Sequence, residues 1–161
     1  MNKVDTIRIG LRVNGESIET EVAPTMSLLR LLREELGLTG TRQGCGKGDC
    51  GSCTVLIEDK PVLSCIMFAF QADGKAITTI EGISKGEHLS RIQELFVERG
   101  AVQCGFCTPA MILVGESFLR ENPNPTREEL REAISGVLCR CTGYKKIVNA
   151  IEEASTEDGR G

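Results

Sequence analysis

The 161-residue chain has no tryptophan, one tyrosine and one histidine, His88. A single histidine excludes histidine-rich zinc and copper sites and any two-histidine metalloprotease motif. Long apolar runs are also missing: stretches such as Met111 to Val114 fall far short of the roughly 18 residues a membrane span requires, so no span is expected. A net charge of −4 leaves no surplus of cations for counterion release, so nucleic acid is not an expected partner. There is no G-x-x-x-x-G-K-S/T loop and no G-x-G-x-x-G following a strand, so neither device is available here for nucleotides or flavin. The N-terminus, Met1-Asn2-Lys3-Val4-Asp5-Thr6, does not lead into an apolar signal segment, and the expected compartment is the cytoplasm. At 40% hydrophobic and 26% charged residues the composition is that of an ordinary globular protein, of a length for one average domain or two small ones.

What the chain has is cysteine, eight in all. A reducing cytosol does not maintain disulfides, so metal ligation is the leading explanation, and with so little histidine the ligands must be sulfur.

The pattern divides into two halves. In the first, Ile7, Ile9, Leu11 and Val13 alternate with polar residues, Asn14-Gly15 marks a turn, and Ile18, Thr20 and Val22 alternate on the return, a hairpin signature. Leu28, Leu31, Leu32 and Leu36 recur at helical spacing from Ser27, with Gly37 as the stop. Thr54 to Ile57, Pro61 to Ser64 and Ala76 to Ile80 are short strand candidates. This predicts a small α+β unit over residues 1–82.

Beyond residue 83 the pattern is helical. Leu89, Ile92, Leu95 and Phe96 form one stripe, and Thr108-Pro109 opens a helix that turns Ile112, Val114, Phe118 and Leu119 inward. Thr126 with Glu129 forms a capping box ahead of Leu130, Ala133, Ile134, Val137 and Leu138, and Ile147, Val148 and Ile151 mark a fourth helix. Residues 83–154 therefore read as a four-helix bundle, and residues 155–161 as a disordered tail. Cores this small are marginal, and a cluster in each half would add stability.

Cys45, Cys50, Cys53 and Cys65 are spaced C-x4-C-x2-C-x11-C, the plant-type arrangement for one [2Fe-2S] cluster in its first three spacings. Glycines between them let the backbone wrap tightly and turn its N–H groups toward anionic sulfur. Cys104-x2-Cys107 and Cys139-x-Cys141, 31 residues apart, each precede a predicted helix. If those helices pack with their N-termini together, the pairs converge where the helix dipole favours an anionic centre, giving a second four-thiolate site. Structural zinc is the alternative for both sets, although C-x4-C and C-x-C depart from ordinary zinc knuckles. A thioredoxin-type C-x-x-C at Cys104 lacks its βαβ context.

The runs Gly44-Cys45-Gly46-Lys47-Gly48-Asp49-Cys50-Gly51-Ser52-Cys53-Thr54-Val55, Gln103-Cys104-Gly105-Phe106-Cys107-Thr108-Pro109 and Leu138-Cys139-Arg140-Cys141-Thr142-Gly143-Tyr144 resemble the small iron-sulfur subunit of the xanthine oxidase family of molybdenum hydroxylases. The similarity spans roughly residues 4–152 and includes all eight cysteines. The resemblance implies a β-grasp, plant-ferredoxin-like domain followed by a four-helix bundle, each with a [2Fe-2S] cluster. It implies that Cys104, Cys107, Cys139 and Cys141 hold the cluster proximal to molybdenum, and Cys45, Cys50, Cys53 and Cys65 the distal one. It further implies that Gln103 reaches the pterin cofactor and that Cys139 lies close enough to relay electrons; the plain alternative for Gln103 is a loop amide satisfying nearby backbone.

The implied function is a relay of single electrons between a molybdenum-pterin cofactor in a large subunit and FAD in a medium subunit, or another acceptor. No residue of this chain is a candidate acid, base or nucleophile toward substrate, so the hydroxylase activity belongs to the complex. An independent two-cluster ferredoxin is the alternative; the Gln103-Cys104 and Leu138-to-Tyr144 runs argue against it. Such a role predicts an apolar docking patch on the helical half, with Met67, Phe68 and Phe70 as contributors or as core. Arg42 and Lys47 flank the first loop, to tune its potential or merely to be solvated, and Arg140 awaits an acidic neighbour or a partner chain. His88 is expected to be exposed and inert.

Overall fold

The structure, a computed structural model, describes residues 5–84, 86 and 88–157. Strands β1 (Ile7–Val13) and β2 (Glu16–Val22) form the expected antiparallel hairpin, with Ile9 opposite Thr20. Its turn residues have φ of 52° (Asn14) and 90° (Gly15), the left-handed conformation that a two-residue turn needs to match the twist of its strands. Ile9, Leu11 and Val13 are buried, while Ile7, at the open end, is exposed.

The segment after Pro24 starts as a helix, α1 (Leu28–Arg30), capped by Ser27 Oγ, which accepts from Arg30 N. It does not run on as the regular helix that the leucine spacing predicts. Leu31–Glu35 form a wider turn in which Leu36 N donates to Leu31 O at 3.1 Å, an i→i+5 bond. Leu28, Leu31 and Leu32 are all fully buried there, each worth roughly 1.5–3 kcal/mol over exposure.

Strands β3 (Thr54–Ile57), β4 (Lys60–Leu63) and β5 (Ala76–Thr78) complete a five-stranded sheet in the order β2-β1-β5-β3-β4. Only the β1/β5 pair is parallel. A mixed sheet clasping one helix is the β-grasp arrangement.

All four residues of β3 are buried, and alternation explains why. Val55 and Ile57 face the core of their own sheet and helix, whereas Leu56 points the other way into the core of the helical half. A continuous apolar run is the mark of a strand covered on both faces.

The helical half consists of α2 (Arg91–Glu98), α3 (Thr108–Glu121), α4 (Arg127–Ala133) and α5 (Lys145–Glu157). Capping boxes at Ser90/Gln93 and Thr126/Glu129 start α2 and α4, each satisfying N–H groups that the first turn leaves without partners. Phe96, Met111, Leu113, Leu130, Ile147 and Ile151 fill the core. Helix α3 also lies against β3 and β4, where Ser117 Oγ donates to Asp59 O at 2.7 Å and Arg120 pairs with the Asp59 carboxylate.

Three expectations differ. Leu89 precedes α2 and Leu138 follows the short turn Ile134–Gly136, and both are exposed instead of buried. Cys107, not Thr108, occupies the cap position of α3, with proline in the first turn. The expected tail begins too early: α5 runs to Glu157, Ser155 is buried and its Oγ donates to Glu152 O at 2.6 Å. Positions 158–161 lie outside the described residues.

Candidate metal centres

The loop from Gly44 to Cys53 encloses the first set of thiols. Gly46, Gly48 and Gly51 have φ between 69° and 90°, and the turns they allow bring Asp49 N to 3.2 Å and Lys47 N to 3.5 Å from Cys45 Sγ. Cys45 N donates to Cys50 Sγ at 3.3 Å, and Ser52 Oγ lies 3.1 Å from the same sulfur. The N–H of Lys47, then that of Cys50, holds the Cys45 thiol down at about 6. Cys65 sits just after β4, anchored by Ser64 Oγ, which donates to Cys53 O at 2.6 Å. Burial, with Cys53 beside it, pushes the Cys65 thiol up to about 11.

The second set lies at the start of α3 and in the loop before α5. Cys107 occupies the N-cap position of α3 without a side-chain capping bond, and burial followed by contact with Cys139 pushes its thiol up to about 12. Burial alone would raise Cys139 too, but the Thr142 hydroxyl, 3.0 Å away, and the Thr142 N–H outweigh it and hold the thiol below its ordinary value. Cys104 is lowered by the Phe106 N–H and by Cys141, and Cys141 is raised by contact with Cys104.

The thiols therefore meet in twos: Cys45 with Cys50 and Cys53 with Cys65, then Cys104 with Cys141 and Cys107 with Cys139. Cys45 and Cys65, and likewise Cys104 and Cys139, are near enough to feel each other's charge, so each pair of twos lies within one region. Each set supplies four thiols, the ligand number of a [2Fe-2S] cluster. The first loop is also shaped as a cradle, since a Cβ on Gly44 would stand 2.7 Å from both Cys50 Sγ and Ser52 Oγ.

The two sets adjoin. Leu138 N donates to Cys50 O at 2.9 Å, linking a residue of the first set to the neighbour of Cys139. Cys104, Cys141 and Gln103 are exposed, and around them Val102, Phe106 and Leu138 are exposed as well. Gln103 makes no hydrogen bond among the described residues. Met67 packs on the sheet core, while Phe68 and Phe70 stack on the surface with ring centroids 5.7 Å apart, next to exposed Ile66. Arg140 and His88 are exposed; Lys47 pairs with Asp49 at 3.1 Å; Arg42 is half-buried.

Two supports escape sequence reasoning. Tyr144 Oη accepts the Cys139 N–H at 2.9 Å, an arrangement that holds Tyr144 at φ 66°, which is rare for a bulky residue. Its signals were its place at the end of the Leu138-to-Tyr144 run and its being the one tyrosine, and neither points to a bond to Cys139 N. Asn14 serves as more than a turn residue: its Oδ1 accepts from Thr79 N and its Nδ2 donates to Thr79 Oγ1, both at 2.9 Å, and Thr79 Oγ1 donates to Glu81. Glu81 in turn accepts from Gly40 N at 2.8 Å, so the hairpin, the connection between halves and the segment entering the first loop are one network.

Residues 11–77 match the 2Fe-2S iron-sulfur cluster binding domain family, and residues 79–152 the [2Fe-2S] binding domain family. The chain is 49% identical to the nicotinate dehydrogenase small FeS subunit of Eubacterium barkeri, covering 96% of each. It is 45% identical to the xanthine dehydrogenase iron-sulfur-binding subunit of Escherichia coli O157:H7, covering 94% of this chain and 96% of that one. In quinoline 2-oxidoreductase from Pseudomonas putida 86, a chain 49% identical superposes with a TM-score of 0.92, covering 96% of both. The aldehyde oxidoreductase of Desulfovibrio gigas contains the same fold within a longer chain, at 38% identity and TM-score 0.91, matching 96% of this chain and 18% of that one. Two [2Fe-2S]-binding domains in this order, on this fold and at this identity, place the chain in the family of small iron-sulfur subunits of the xanthine oxidase-type molybdenum hydroxylases.

Proposed function

We propose that Cys45, Cys50, Cys53 and Cys65 hold one [2Fe-2S] cluster and that Cys104, Cys107, Cys139 and Cys141 hold the other. Between them the chain relays single electrons from a molybdenum-pterin cofactor in a large subunit to FAD or another acceptor. The clusters supply one-electron chemistry when bound; the chain supplies position, hydrogen bonds and exclusion of water. The observation that carries this reading is the Leu138 N–H to Cys50 C=O bond. It leaves a route from Cys50 Sγ to Cys139 Sγ made of covalent bonds and a single hydrogen bond, with no gap through solvent.

The half-site at Cys104 and Cys141 is incomplete without a partner. Exposed ligands flanked in sequence by the exposed Val102, Phe106 and Leu138 suit burial under another chain. The large molybdenum subunit is that chain, and Gln103, exposed and next to Cys104 in sequence, reaches its pterin. The division of labour falls at residues 82 and 83, where Ile83 already joins the helical core. Eight unpaired thiols suit a reducing compartment, the cytoplasm. Relatives named for nicotinate, xanthine and quinoline share this small-subunit design, which therefore serves the electron path common to them and leaves substrate choice to the large subunit.

The test is metal analysis of the tagged chain purified gently from its own cell. Expected are about four irons per copy, with molybdenum and larger subunits in the same fraction. Iron on an isolated 17.5 kDa chain without molybdenum would instead make it a free carrier, and zinc in place of iron would defeat both readings.

A further inference from the structure

Arg42 stands three residues before Cys45, and its surroundings are unusual for a cation. The side chain is half-buried, Nε is fully enclosed without a partner, and no ion pair or hydrogen bond reaches the guanidinium among the described residues. The residue before it, Thr41, is 2% exposed, and its Oγ1 also lacks a partner. Looseness does not explain these orphans. Arg33 Nη1 clamps the segment by donating to Thr39 O at 2.9 Å and Thr41 O at 2.7 Å, and Gly40 N is held by Glu81. A guanidinium stays charged at any working pH, and buried donors are normally paired. These two groups on adjacent residues hold hydrogen-bonding capacity that the chain itself does not fill, and for the guanidinium the complement is an anion.

We propose that Arg42, with Thr41, compensates the charge of the cluster held by Cys45, Cys50, Cys53 and Cys65 and raises its reduction potential. This rests on that ligand assignment. Three residues of chain keep the Cα of Arg42 within about 11 Å of that of Cys45, about one Debye length at moderate salt, and a half-buried charge is screened less than an exposed one. A cluster with four thiolates is anionic and gains one more negative charge on reduction, so a fixed cation favours the reduced form. Lys47, nearer in sequence, is exposed and already neutralised by Asp49, and contributes little.

The experiment is a redox titration of the intact complex followed by electron paramagnetic resonance, for the native chain, Arg42→Met, Arg42→Lys and Lys47→Met, with iron counted in each. Arg42→Met is expected to weaken the electron affinity of one cluster about tenfold, a fall of about 59 mV for a one-electron couple. Arg42→Lys should lose less, and Lys47→Met should leave both potentials in place. The shifted signal should be the one that Cys50→Ser removes. An unchanged potential in Arg42→Met, equal shifts of both signals, or loss of iron without a shift would overturn the proposal. Failure of Cys50→Ser to remove either signal would instead break the ligand assignment beneath it.

Discussion

Gly51 and Gly136 meet backbone to backbone: a Cβ on Gly51 would stand 2.1 Å from the carbonyl oxygen of Gly136 and 2.9 Å from Cα of Val137. Gly51 lies between Cys50 and Cys53, and Gly136 ends the turn that leads to Cys139. The contact therefore fixes the separation of the two thiol sets, and the Leu138 to Cys50 hydrogen bond runs beside it.

Gly51→Ala tests that contact. The added methyl meets backbone, which cannot rotate away, and φ of 71° penalises any side chain there. The halves must part, at a cost of about 1–3 kcal/mol. The expected outcome is retention of both clusters with a weaker magnetic interaction between their reduced forms, measured by electron paramagnetic resonance. An unchanged interaction would mean that something other than this contact sets the spacing.

Leu56→Ala addresses how the halves support each other. Leu56 is fully buried, and it belongs to the core of the helices although it sits on a strand of the sheet. Its truncation is expected to cost about 2–5 kcal/mol and to be felt in α3 as faster amide hydrogen exchange. If exchange rose only in the sheet, the halves would be independent cores.

Much of this was legible in the sequence because local chemistry dictated it. Asn14-Gly15 required a tight hairpin turn, Thr126 with Glu129 required a helix start, and the cysteine spacing required a wrapped loop; the structure shows the turn, the capping box and the loop. What was hidden depended on contacts distant in the chain. Leu138 carries the same apolar signal as Val137, yet it points outward because the helix has already ended. In the sequence Arg42 reads either as tuning the first loop or as merely solvated, and the choice turns on Arg33 and Glu81, which pin its segment down. Tyr144 gives no periodic signal at all, since its role is a single bond to Cys139 N.

The assignment of ligands separates cleanly by single substitution. Cys50→Ser should abolish one cluster's signal and leave the other, and Cys107→Ser should do the reverse. Each should lower the iron content by about two per chain. Because Cys107 is buried at the cap of α3 and Cys50 lies in a glycine-rich loop, the second variant is expected to melt at the lower temperature. Loss of both signals from Cys50→Ser, with the helices still folded by circular dichroism, would show that the two sets share ligands.

Gln103→Ala isolates the partner-facing edge. The side chain is exposed and makes no hydrogen bond among the described residues, so its loss should not change folding, iron content or either cluster's spectrum. On the proposed contact with the pterin, the same truncation in the assembled complex removes a donor and an acceptor, and an unpaired polar group left opposite costs about 1–3 kcal/mol. The expected outcome is therefore slower reduction of the clusters by substrate, or weaker retention of the molybdenum cofactor, in a protein whose small subunit is otherwise unchanged. Rapid-mixing absorbance of the iron-sulfur chromophore measures the first and molybdenum content the second. If neither moved, Gln103 would be a solvent-facing loop residue, and the contact with the large subunit would rest on Val102, Phe106 and Leu138 alone.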